Sequence, residues 1–90
     1  MQRIYLRFGG SVQGVGFRYF AVYTARRLGL TGWVHNREDG DLEAEAQGTP
    51  DAVEQFAEAM RRGPRFARVD RFEMQPVSLA DEYDFHVEDW

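Results

Sequence analysis

The sequence predicts an α+β domain in which an antiparallel sheet carries two helices on one face. Two segments show the apolar spacing of amphipathic helices, and the segments around them alternate apolar and polar residues as half-buried strands do. The predicted order is strand, helix, strand, strand, helix, strand and a short last strand. Because 90 residues suffice for only one hydrophobic core, we expect a single domain over residues 1–90.

The chain begins with a predicted strand and helix. Ile4, Leu6 and Phe8 alternate with more polar residues, and Gly9-Gly10 is expected to end this strand before a loop over residues 11–16. The helix that follows has an apolar stripe at spacings of three and four, formed by Phe17, Phe20, Ala21, Thr24 and Leu28. Gly29 can supply the left-handed residue that ends it.

A hairpin is predicted in the middle of the chain. Residues 33–37 form its first strand, and Asp39-Gly40 is a strong signal for a tight turn. The returning strand has an apolar face of Leu42, Ala44 and Ala46, and its other face is polar. An acidic row, with a carboxylate at every second position, is formed by Asp39, Asp41, Glu43 and Glu45. They could bind a metal, but a solvated sheet face is the more ordinary interpretation.

The second helix has clear signals at both ends. Thr49 can cap it, Pro50 fits its first turn, and Gly63-Pro64 stops it. Its buried stripe is expected to consist of Val53, Phe56, Ala57 and Met60.

Two further extended segments complete the predicted fold. Residues 66–77 look extended, but the apolar phase changes along them, and a bulge near Asp70-Arg71 would account for this. Tyr83, Phe85 and Val87 alternate again as a short last strand. The complete order matches the split βαβ, or ferredoxin-like, arrangement, which hosts many unrelated functions.

Composition excludes several functional classes. The chain has no cysteine, which rules out disulfides, a thiolate nucleophile and a zinc ribbon. Its start has no apolar signal region and no segment is long enough to span a membrane, so we expect a cytoplasmic protein. The net charge of −4 argues against nucleic acid as a partner, and the open sheet lacks the aromatic and basic pattern of RNA-binding domains. A monomer is the expected state.

The loop before the first helix is the most informative segment. Gly14 and Gly16 allow the backbone to approach a ligand, and no Ser, Thr, Asp or Asn stands before the helix to cap it. Such a helix end can bind an anion, and Arg18 in its first turn could bind two phosphate oxygens. Ordinary turn glycines and a solvated surface arginine would fit the same residues.

Asn36 is the second residue of interest, because asparagine is uncommon in strands. Its carboxamide could orient a water molecule, since it offers both a donor and an acceptor. A solvent-facing or turn-bonding asparagine is the more ordinary interpretation of this residue alone. The two histidines, His35 and His86, have no cysteine or clear spacing partner, so surface or partly buried positions are favoured over a metal site.

These two segments together resemble the signatures of the acylphosphatase family. Residues 10–18, Gly-Ser-Val-Gln-Gly-Val-Gly-Phe-Arg, are similar to its first signature. Residues 32–36, Gly-Trp-Val-His-Asn, followed by Asp39-Gly40, are similar to its second. The resemblance covers nearly the whole chain in order and spacing. Ser11 departs from the pattern, because the family more often has a basic residue there, and so does the acidic end of the chain.

The resemblance implies a ferredoxin-like enzyme that hydrolyses acyl phosphates to a carboxylate and inorganic phosphate, with no metal or other cofactor. The substrate-binding residues would then be Gln13, Gly14, Val15, Gly16, Phe17 and Arg18, which cradle the phosphoryl group mainly with backbone N–H groups. Arg18 would also be catalytic, and Asn36 would hold the attacking water. Positioning and charge stabilisation suffice for such a reaction, because the carboxylate is a good leaving group.

A non-catalytic anion-binding or regulatory module is the alternative. Similar domains stand at the front of larger proteins that handle carbamoyl phosphate, but those continue into zinc-type cysteine pairs, which this sequence lacks. The presence of both Arg18 and Asn36 favours the enzyme. The sequence does not identify the acyl group of the substrate.

Overall fold

The computed structural model describes residues 1–89, so Trp90, at the end of the acidic C-terminal segment, lies outside it. Its elements are β1 (Gln2–Ser11), α1 (Phe17–Arg27), β2 (Thr31–Asn36), β3 (Leu42–Gly48), α2 (Pro50–Arg62), β4 (Arg68–Pro76) and β5 (Phe85–Val87). The five strands form one sheet in the order β4-β1-β3-β2-β5. The ferredoxin-like arrangement is confirmed. The sheet is mixed rather than purely antiparallel, because β5 pairs in parallel with β2.

The core lies between the two helices and one face of the sheet. Cross-strand pairs bring Leu6 opposite Ala44 and Phe8 opposite Leu42, and all four residues are buried. The stripe of α2 is buried as predicted, and the ring of its Phe56 lies 5.5 Å from that of Phe85 on β5. The apolar periodicity of the sequence therefore identifies the inward faces correctly.

The signals at the helix ends are also confirmed. The backbone N–H of Ala52 donates to Thr49 Oγ1 at 3.3 Å, which caps α2, and Gly63 follows its last turn. Gly29 adopts the left-handed conformation after α1, with a φ of 73°. Of the two helices in residues 1–89, neither combines the length and apolar composition needed to span a membrane.

Gly9-Gly10 does not end the first strand, contrary to the prediction. β1 continues to Ser11 by pairing with β4 alone, where Gly10 lies opposite Val69. The register shifts between Gly9 and Gly10, and Asp70 is the extra residue on β4. The bulge expected near Asp70-Arg71 is therefore confirmed. The glycines permit the strand to continue through the shift, since the φ of Gly10 is 134° and its missing Cβ would approach the Arg68 carbonyl.

The acidic row is not a solvated face, and that interpretation was wrong. Asp41 is 3% exposed. Glu43 accepts a hydrogen bond from the Tyr5 hydroxyl at 2.7 Å, and Glu45 accepts one from Arg3 Nε at 2.6 Å. The antiparallel register explains the difference, because it places the polar residues of β1 beside the carboxylates of β3 on the face opposite the helices.

Candidate active site

The loop between β1 and α1 is anchored in the core at both ends. Val12 and Phe17 are each 1% exposed. The ring of Phe17 lies 4.9 Å from that of Phe8 and 5.9 Å from that of Phe20. Val15 packs against the same core. Since the side chain of Phe17 is buried in the core, Phe17 can meet a ligand only through its backbone.

The N-terminus of α1 is open. Gly16 occupies the N-cap position with a φ of 77°, makes no side-chain capping bond, and is followed by a first turn without an acidic residue. Phe20 N–H donates to Gly16 O at 3.0 Å, so the N–H groups of Phe17, Arg18 and Tyr19 precede the first helical hydrogen bond. Free N–H groups and the positive end of the helix dipole favour an anion at this position.

A cleft of about 490 Å³ opens at this helix end. Of the residues that the sequence singles out, it is lined by Gln13, Gly14, Gly16, Phe17, Arg18 and Asn36, whereas Val15 lies outside the lining. No aspartate or glutamate lines the cleft in the part of the chain that the structure describes. The cleft is therefore locally basic although the whole chain carries a net charge of −4.

Arg18 is exposed and makes no ion pair with any of residues 1–89. Its place in the first turn of α1 puts a cation near the positive end of the helix dipole, which is locally unfavourable. A bound anion would interact favourably with the guanidinium and with the helix end together. An anion-binding role for Arg18 stays a prediction, beside the ordinary surface arginine that its exposure also fits.

Asn36 is the last residue of β2, where it pairs with Leu42 of the neighbouring strand. Its side-chain oxygen Oδ1 is buried and has no hydrogen-bond partner among the described residues. Since a buried acceptor without a partner costs about 1–3 kcal/mol, Oδ1 favours a hydrogen-bond donor bound in the cleft. A water molecule in the cleft can be that donor.

Gln13 ties the loop to the hairpin that follows Asn36. Its Nε2 donates to the backbone carbonyls of Arg37 at 2.9 Å and Asp41 at 3.2 Å. The side chain of Gln13 is thereby used to hold two parts of the cleft together. Because both N–H groups of the carboxamide are used in this way, only the backbone N–H of Gln13 remains to donate to an anion.

Asp41 is the centre of an ion-pair cluster beneath this hairpin. Arg71 donates to both of its carboxylate oxygens, at 2.8 and 3.0 Å, and Arg7 Nε donates to Oδ2 at 3.0 Å. Gly9 leaves the necessary space, because a Cβ at that position would collide with both Arg71 and Asp41. Hydrogen bonds from Arg71, and secondarily from Arg7, lower the pKa of Asp41 from 3.8 to about 2.

Replacing Asp41 by asparagine is expected to lower the free energy of unfolding by about 2–4 kcal/mol, because two arginines lose a buried anionic partner. Urea denaturation at pH 7 measures this change. Asp70→Asn is the matched control, since the Arg68–Asp70 pair is exposed and should contribute less than about 1 kcal/mol. Equal unfolding midpoints for the two variants would contradict this role of Asp41.

The stability that Asp41 contributes should also depend on pH. Because folding depresses its pKa, the contribution is fully present above pH 4 and is lost as the pH falls from about 4 to about 2. The difference in free energy of unfolding between wild type and Asp41→Asn should therefore shrink over that range. A difference that stays constant from pH 6 to pH 2 would show that the charge of Asp41 is not responsible.

Sequence reasoning missed six residues that also line the cleft: Val12, Tyr19, Val22, Arg26, His86 and Val87. A signal for three of these existed, because residues 19, 22 and 26 are spaced three and four apart and therefore share one face of the helix. The parallel pairing of β5 with β2 brings His86 to the site, and no local pattern predicts that pairing. Hydrogen bonds with Glu88 and Asp84 raise the pKa of His86, which favours its cationic form.

The sequence and fold of this chain are similar to those of a known protein family. The acylphosphatase family model matches residues 4–87, nearly the entire chain. The chain belongs to the acylphosphatase family. An acylphosphatase of Bifidobacterium longum is 51% identical over 73 residues, which are 81% of this chain and 75% of that protein.

Solved structures agree with the family assignment. The crystal structure of acylphosphatase from Bacillus subtilis superimposes with a TM-score of 0.95 at 37% identity, covering 99% of this chain and 100% of that one. Full-length HypF in its phosphate- and nucleotide-bound form matches with a TM-score of 0.90 at 29% identity, covering 98% of this chain. The match covers only 12% of the HypF chain. The same domain is thus similar both to a protein of its own size and to a small part of a much larger one.

Proposed function

We propose that this protein is an acylphosphatase that hydrolyses acyl phosphates to a carboxylate and inorganic phosphate without a metal ion. Family membership supports the activity class. One observation supports the mechanism: a single basic cleft is lined by the open N-terminus of α1, by Arg18 and by Asn36. Arg18 has no ion-pair partner among the described residues, and the buried Oδ1 of Asn36 accepts no hydrogen bond from them. We further propose a cytoplasmic monomer with one domain over residues 1–90.

In this mechanism the phosphoryl group occupies the loop that precedes α1. Backbone N–H groups of residues 13–18 donate to its oxygens, and the Arg18 guanidinium binds two of them in a bidentate arrangement. These donors are fixed before the substrate arrives, because Val12 and Phe17 anchor the loop in the core. Fixed donors stabilise the charge on the phosphoryl oxygens in the transition state without reorganisation.

Asn36 holds the attacking water. Its Oδ1 accepts a hydrogen bond from the water, which leaves an oxygen lone pair directed at phosphorus. The new bond joins the water oxygen to phosphorus, and the bond from phosphorus to the acyl oxygen breaks with its electron pair going to the carboxylate. The carboxylate is a weak base, so it leaves without a protein acid, and the proton of the water passes to the product phosphate or to solvent.

Hydrolysis of benzoyl phosphate in the presence of EDTA tests this function, with phenyl phosphate as the matched control. We expect turnover of benzoyl phosphate and at least a hundredfold slower hydrolysis of phenyl phosphate, whose phenolate is a much poorer leaving group. If benzoyl phosphate is not hydrolysed while inorganic phosphate still raises the Tm, the protein is the non-catalytic anion-binding module instead.

A further inference from the structure

The cleft is larger than a phosphoryl group requires. Its volume of about 490 Å³ lies in the range of pockets that enclose whole small molecules, about 300–1,000 Å³. The loop and Arg18 occupy one end of it. The remaining space is bounded by the outer turns of α1 and by β5, and the mechanism proposed above leaves it unused.

Three side chains of α1 follow the length of this space. Arg18, Val22 and Arg26 are spaced four residues apart, so they lie along one face of the helix. Eight residues at 1.5 Å each separate the two arginines by about 12 Å along the axis. The apolar Val22 lies between them, and Val87 of β5 lines the same space.

Arg26 is held in place and still has free donors. Its Nε donates to the backbone carbonyl of Phe85 at 3.2 Å, which fixes the side chain between α1 and β5. Its two terminal nitrogens make no ion pair with any of residues 1–89. His86 lines the same end of the cleft as a second basic group, although Asp84 and Glu88 already hydrogen-bond its ring. Arg26 is therefore the available anion-binding group there.

We propose that the end of the cleft between α1 and β5 is an acyl-group subsite in which Arg26 binds a carboxylate at the far end of the acyl group. Val22 and Val87 contact the carbon skeleton between the two charged ends. This subsite rests on the proposed function, since it assumes that the phosphoryl group is bound at Arg18. It predicts a preference for acyl phosphates that carry a second anionic group over those that do not.

A pair of rigid substrates of the same shape tests the subsite. The substrates are 4-carboxybenzoyl phosphate and its neutral analogue 4-carbamoylbenzoyl phosphate. We expect wild type to favour the carboxylate by about tenfold in kcat/KM, the effect of one charge-assisted hydrogen bond. Arg26→Gln should lower that ratio about tenfold, and Arg26→Lys should restore part of it. Comparing the ratio between variants cancels the difference in leaving group.

Arg27→Gln is the matched control, because Arg27 is the next arginine on the same helix and does not line the cleft. It should keep the wild-type ratio. A ratio that Arg26→Gln leaves unchanged would overturn the subsite while benzoyl phosphate is still hydrolysed. Failure of wild type to hydrolyse benzoyl phosphate as well would overturn the proposed function together with the subsite.

Discussion

Replacing Arg18 by alanine is expected to lower kcat/KM for benzoyl phosphate by on the order of 10³–10⁵, the effect of an arginine on a transferring phosphoryl group. The guanidinium is the charged donor beside the open end of α1, and no other residue from 1 to 89 repeats that position. Inhibition by inorganic phosphate should weaken in parallel, because the same group binds the product. Steady-state kinetics of purified variants measure both effects.

The control for this variant is Arg27→Ala, on the same helix but outside the cleft lining. It should retain wild-type kinetics. Arg18→Lys keeps the charge but loses the bidentate geometry, so it should recover only part of the activity. A folded Arg18→Ala variant with kcat/KM within tenfold of wild type would show that Arg18 does not bind the phosphoryl group.

Replacing Asn36 by alanine is expected to lower kcat by about 10²–10³ and to leave inhibition by inorganic phosphate nearly unchanged. We expect kcat to change without a change in phosphate inhibition because Asn36 holds the water and not the phosphoryl group. The variant should also fold well, because Oδ1 of Asn36 makes no hydrogen bond to any of residues 1–89 that the substitution would break. Kinetics, phosphate inhibition and thermal denaturation are measured on the same preparation.

Asn36→Asp provides the second test of this residue. The side chain keeps its shape, but a carboxylate near a phosphoryl dianion is repelled by it, so substrate affinity should fall as well as kcat. A purely structural role for Asn36 would instead lower the Tm of both variants and leave kcat of the folded enzyme unchanged. That outcome would remove Asn36 from the mechanism.

Much of the fold is predictable because its signals are local. The helix stripes, the Thr49 cap and the Asp39-Gly40 turn each depend on residues close together in sequence. The Asp70 bulge is also visible, since a change in apolar phase marks it directly. The open helix end is predictable for the same reason, because a missing capping residue is a local fact.

The errors lie where distant segments meet. The local sequence Gly9-Gly10 predicts the end of a strand, but pairing with β4 extends β1 through these two residues. The local pattern of the acidic row predicts a solvated face, but Arg7 and Arg71 on two other strands hydrogen-bond to Asp41. His86 and the free end of Arg26 are missed because β5 adds to the sheet in parallel beside β2. Local patterns contain no information on these pairings.

Hydrolysis in water enriched in oxygen-18 is the most direct test of the central claim, which is that the water held by Asn36 attacks phosphorus. After a single round of benzoyl phosphate hydrolysis, mass spectrometry of the two products shows which of them carries the label. The mechanism predicts one labelled oxygen in inorganic phosphate and none in benzoate. Label in benzoate would show attack at the acyl carbon, which would contradict the roles of the loop, Arg18 and Asn36 together.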